Sequence, residues 1–93
     1  MMIMEKIKIS IEFCTLCHWT PRAVWMTQEL LYTFQNDVAE VKLIPTDGGV
    51  FRISVDDEVV WDRKESGFPE PKAVKQKIRD VIDPKRSLGH SDK

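Results

Sequence analysis

The chain has few of the residues that punctuate or staple a fold. It holds only four glycines, and no repeat, linker or low-complexity tract interrupts it. Its two cysteines, Cys14 and Cys17, exclude a disulfide scaffold, which at this size needs four or more. No apolar run approaches the ~18 residues of a membrane span. Excess positive charge is missing too. Lys and Arg number 14 against 15 Asp and Glu, a formal net charge of −1, so nothing argues for nucleic acid or an anionic membrane as partner. The first residues, up to Phe13, alternate apolar and charged side chains, unlike a signal peptide. These absences predict a soluble, cytoplasmic protein whose thiols stay reduced.

What is present suffices for one core. Apolar residues make up 42% of 93 residues, too many for a disordered chain. A single domain over residues 1–83 is expected, with a polar and flexible tail over 84–93. A domain this small buries roughly 60–65% of its unfolded surface and should be only marginally stable.

Ile7, Ile9, Ile11 and Phe13 alternate with Lys8, Ser10 and Glu12, the period of a half-buried strand. Thr20-Pro21 reads as an N-cap followed by Pro at the first helical position, and Ala23, Thr27, Leu30, Leu31 and Phe34 recur at helical spacing up to Asn36-Asp37. Ala39, Val41 and Leu43 give a second strand. Phe51, Ile53 and Val55 give a third, and Asp56-Asp57 turns the chain into a fourth carrying Val59 and Trp61 on one face, with Trp61 in the core. Asp62 to Glu70 reads as a loop. Val74, Ile78, Val81 and Ile82 mark a second helix from Pro71 to Asp83-Pro84.

The order is β-α-β-β-β-α. Its first three elements form a βαβ unit with parallel strands. Because every strand alternates, one sheet face should be wet, which puts both helices on the other face of a four-stranded sheet.

Cys14-Thr15-Leu16-Cys17 falls where the first strand meets the first helix. The thiolate is the reactive form of cysteine, and a helix N-terminus favours it. Two intervening residues let one sulfur attack a substrate and the other resolve the mixed disulfide. A helix starting only at Thr20 lies past Cys17, which weakens this activation; His18 is the candidate to compensate. Three other readings compete with dithiol redox chemistry. Zinc would take four ligands, and only His18 and His90 remain to complete them. Cys14-x-x-Cys17-His18 also spells a c-type haem attachment, without the export signal or helical wrap that haem needs. Two inert, buried cysteines are the third.

Around the motif, Trp19 is a candidate contact surface or a cap over the helix start. Gly48-Gly49 is a candidate close-approach loop beside the thiols, or the start of the third strand. Phe68 is a candidate docking aromatic, or packs its loop against the second helix. Trp25 falls off the apolar stripe. Arg22 is a candidate contact for an anionic substrate or a plain surface charge, and Lys72, Lys75, Lys77 and Arg79 read as a solvated helix face.

With these residues located, the chain resembles the selenoprotein W-like, or Rdx, family from about Ile7 to Ile82. The resemblance rests on the strand into Cys14-x-x-Cys17, Gln28-Glu29-Leu30-Leu31 with Phe34, Gly48-Gly49-Val50-Phe51, Trp61-Asp62-Arg63-Lys64 and Gly67-Phe68-Pro69-Glu70. Leu88-Gly89-His90-Ser91-Asp92 is similar to the bacterial branch. It implies a thioredoxin-like fold and a thiol oxidoreductase in cell redox homeostasis, with no bound cofactor and with glutathione or protein thiols as partners. Selenium-containing relatives carry selenocysteine where this chain has Cys17, which implies slower chemistry here. Thioredoxin logic makes Cys14 the attacker; the selenium position points to Cys17. Gly48-Gly49 stands near the place of thioredoxin's cis-proline, with Pro45 offset from it. The runner-up is a non-enzymatic redox sensor whose surface around Trp19 and Gly67-Phe68-Pro69 changes on oxidation.

Overall fold

A computed structural model describes residues 6–89. In chain order it contains β1 (Ile7–Cys14), α1 (Thr20–Phe34), β2 (Val38–Thr46), β3 (Phe51–Val55), β4 (Glu58–Asp62), a single-turn α2 (Arg63–Ser66) and α3 (Pro71–Ile82). The alternation in β1 turns Ile7, Ile9, Ile11 and Phe13 inward, and all are buried. β1 lies inside the sheet, parallel to β2 on one side and antiparallel to β3 on the other, in the order β2-β1-β3-β4. This is the mixed, four-stranded α/β sheet that the sequence predicts.

Ala23, Met26, Leu30 and Phe34 of α1 and Val74 and Ile78 of α3 close one core with the inward strand residues. Full burial of each larger side chain is worth about 1.5–3 kcal/mol. Both helices lie on this one face, joined by Lys75 Nζ to Glu29 at 3.4 Å. The other face is polar. There Arg52 reaches Glu12 at 3.4 Å and Asp62 at 3.5 Å, linking three strands.

Several local expectations are corrected. Trp19, not Thr20, is the N-cap of α1, and it makes no side-chain capping bond. Within α1 the core falls to Met26, whereas Leu31 is 42% exposed. A register shift between Ile7 and Lys8 turns Val38 inward and leaves Ala39 exposed. A second shift, between Ile53 and Ser54, puts Trp61 opposite Ile53 but Val59 opposite Ser54, so these two stand on opposite faces. Trp61 is accordingly half-buried, donating Nε1–H to the Gly67 carbonyl at 2.8 Å, while Val59 is exposed. The segment after β4 is not all loop: the Asp62 carboxylate accepts from Lys64 N–H at 3.0 Å and starts α2. The basic face of α3 is only partly solvated, since Lys75 and Arg79 are half-buried and ion-paired. Residues 84–89, expected to open a flexible tail, fold back. Arg86 binds both Asp37 carboxylate oxygens, at 2.7 and 3.1 Å, and Leu88 packs on the core. Among the described residues, no helix is long and apolar enough to cross a membrane.

Candidate functional site

Cys14 is still held in the sheet. Its N–H donates to the Val50 carbonyl at 2.8 Å, and the next N–H, of Thr15, donates to Thr46 at 3.0 Å. The chain then reverses. His18 N–H donates to the Thr15 carbonyl at 3.0 Å, and His18 itself takes a left-handed φ of 60°. This turn brings Cys17 back over the end of β1, where the two free thiols hydrogen-bond to each other. Cys14 is 1% exposed, Cys17 is half-buried, and Leu16 between them is 80% exposed.

α1 begins only at Thr20, so its N-terminus is not what activates the pair. The bond between the two thiols does that instead, helped by backbone donors of the loops. The Cys14 thiol is held below its ordinary value, first by the hydrogen bond from Cys17; N–H groups of Gly49, Cys17 and Leu16 add to this, and burial opposes it. Cys17 is pushed up by the same bond, by burial and by the charge on Cys14, while Gly49 N–H and the Arg63 guanidinium pull it down. The first proton therefore leaves Cys14, and the second is held on Cys17.

Gly48 and Gly49 belong to the β2–β3 loop and not to β3. They take φ of 70° and 71°, a region glycine enters without steric cost. Pro45 lies within β2 opposite Phe13, and no described peptide bond is cis; of the glycine pair, Gly49 is the one whose N–H acts on the thiols. Arg63 donates twice to the Gly49 carbonyl, from Nε at 3.1 Å and Nη2 at 2.9 Å. Its guanidinium also lies 4.9 Å over Trp19 and 5.7 Å over Phe68.

Trp19 and Phe68 meet edge to face at 4.8 Å, and each also meets Phe51. Phe68 thus packs on the start of α1, and Arg22 stacks on it at 4.0 Å. Trp25 is 50% exposed, off the stripe as expected. A crevice of only about 10 Å³ opens here, lined by Arg22, Trp25, Met26, Phe51, Phe68 and Pro69, too small to hold a ligand.

The structure thus gathers Cys14, Cys17, Gly49, Trp19 and Phe68 at one end of the sheet, with Gly48 at the exposed side of its loop. His18 is exposed, and the cation acting on Cys17 is Arg63, which the sequence reading missed. Its only signal was its place in Trp61-Asp62-Arg63-Lys64, to which no role had been attached. Among the described residues, no three His, Cys, Asp or Glu side chains converge as metal ligands; His90 lies outside those residues.

Comparison with known proteins agrees with this geometry. The model of the Rdx family matches residues 8–80. A solved structure of a Bordetella parapertussis protein is 50% identical, with a TM-score of 0.80 over 83% of this chain and 99% of that one. A selenoprotein W-related protein from Vibrio cholerae is 45% identical, with a TM-score of 0.82 over 85% of this chain and 100% of its own. No curated protein sequence matches. The chain belongs to the Rdx family, a group associated with redox chemistry.

Proposed function

We propose that this Rdx-family protein is a thiol–disulfide oxidoreductase working through Cys14 and Cys17, with glutathione or protein thiols as its partners. The observation that carries this reading is the pairing, across the turn at the end of β1, of a buried free thiol with a more accessible one.

Accessibility assigns the order. A substrate sulfur must approach in line, and Cys14 is 1% exposed, so Cys17 is the attacker. In the monoanionic pair, the Cys17 proton passes along the hydrogen bond to Cys14. The Cys17 thiolate then attacks a disulfide R–S–S–R′. The S–S bond breaks, R′–S⁻ leaves and takes a proton from water, and Cys17 holds R as a mixed disulfide. Cys14 then attacks Cys17 Sγ, passing its proton to the departing R–S. The products are the Cys14–Cys17 disulfide and two thiols; two electrons have moved to the substrate. Two equivalents of a thiol such as glutathione restore the dithiol. The backbone donors at Cys14 keep it reactive for the second step, after its bond from Cys17 is gone.

The test is equilibration in graded glutathione buffers, followed by thiol trapping and mass spectrometry. A reversible two-electron transition near the cytosolic poise of roughly −220 to −320 mV is expected. Cys14→Ser should accumulate a glutathione adduct on Cys17, and Cys17→Ser should accumulate none. Thiols that stay unmodified, or that react only after chelation, overturn the reading. One oxidation without turnover would instead make the protein a sensor.

A further inference from the structure

We infer that Arg63 is the positioning residue of the dithiol site, clamping the Gly49 peptide against the two sulfurs and setting a positive charge beside Cys17. This rests on the oxidoreductase reading above, and deepens it.

The need for a clamp follows from the sequence. Gly48-Gly49 has the widest backbone freedom of any residue pair, so a stable aim of the Gly49 N–H must be imposed from outside. Two anchors supply it. The Val50 carbonyl is fixed by Cys14 N–H at 2.8 Å. The preceding carbonyl, of Gly49, is fixed by the two Arg63 bonds at 3.1 and 2.9 Å. Consecutive carbonyls are thereby pinned on the C-terminal side of Gly49, which restrains the residue whose own N–H, one φ/ψ pair away, acts on both sulfurs.

The clamp is itself held. Arg63 opens α2 directly after its N-cap Asp62, and its guanidinium is stacked near Trp19 and Phe68. Among the described residues, the hydrogen bonds of Arg63 go to a carbonyl and its charge is not cancelled by a carboxylate. A planar fork makes both bonds at once, which a lysine ammonium does not reproduce. Charge and clamp are therefore separable by substitution.

The experiment follows thiolate absorbance near 240 nm against pH in the reduced protein, with the iodoacetamide rate at pH 7. It compares wild type, Arg63→Lys, Arg63→Gln and, as a matched charge loss at an exposed neighbour, Lys64→Gln. Circular dichroism melting controls for folding. Arg63→Gln should move the first titration step upward and slow alkylation about threefold or more. Arg63→Lys, keeping charge without the fork, should fall between it and wild type. Lys64→Gln should titrate as wild type. The reduction potential of Arg63→Gln should become more negative, because loss of thiolate stabilisation disfavours the reduced form. A folded Arg63→Gln with wild-type titration overturns the inference. If that variant does not fold, an unshifted Arg63→Lys overturns the clamp. Wild-type thiols with one ordinary titration step and no reversible oxidation would instead sink the oxidoreductase reading itself.

Discussion

Two residues separate Cys14 from Cys17, but one is sealed at the end of a strand and the other sits on a turn. Because they share a hydrogen bond, they should titrate as a coupled pair with two macroscopic steps, one below and one above the ordinary thiol value. The sign is set by the thiolate: it fills as pH rises through the lowered first step, so alkylation should begin at a lower pH than for a free cysteine. Absorbance near 240 nm should resolve both steps, and Cys17→Ala should leave one, shifted up because its strongest donor is gone. A second residue-scale test is Gly49→Ala. The added Cβ finds room, meeting only Arg63 Nη2 at 3.5 Å, but the φ of 71° is strained for alanine. A loss of about 1–2 kcal/mol is expected by urea unfolding. The C-x-x-C spacing and the glycine pair were legible as candidates from residue type alone. Arg63 was not, because it reaches the thiols only after β3 and β4 have paired and α2 has turned it inward.

At the scale of elements, hydrophobic alternation located all four strands and both long helices. It failed where a register shift added a residue. Val59 and Trp61 alternate in sequence and face opposite ways in the sheet, because a period of two holds only while pairing is unbroken. The same slip moved the inward role from Ala39 to Val38. Turn chemistry was more legible. Asp56 and Asp57 both take left-handed φ, 49° and 70°, as the hairpin requires. Asp56 also accepts the Lys8 N–H at 2.9 Å, so it has a second task, whereas among the described residues Asp57 makes no such side-chain bond. Asp57→Gly should therefore stabilise the hairpin by about 0.5–1 kcal/mol. The measurement is the urea midpoint, which should rise at unchanged slope. A fall would mean that the Asp57 side chain does something its surroundings do not suggest.

The whole molecule is a two-layer structure, and its stability rests on one inner face. Leu30 is fully buried at its centre, so Leu30→Ala should cost about 2–5 kcal/mol. That rivals the entire stability of a small domain, roughly 5 kcal/mol, and thermal unfolding should show a protein partly unfolded at 37 °C. Tyr32, two positions on and 84% exposed, should tolerate alanine within about 0.5 kcal/mol. The two-layer plan was legible because every strand alternates; the docking of residues 84–89 was not, because Arg86 and Leu88 carry no periodicity to announce their contacts. The placement of β1 inside the sheet has one more consequence. Amide hydrogens of an inner strand exchange with solvent most slowly, on the timescale of global opening, whereas surface turns exchange through local fluctuations. The two sulfurs of the site are attached to opposite ends of that spectrum. Cys14, on the inner strand, should exchange among the slowest amides, and Cys17, on the turn, among the fastest. Every cycle between dithiol and disulfide must then be absorbed by the arm from Thr15 to His18, leaving deuterium uptake over β1 unchanged while uptake in that arm reports the oxidation state.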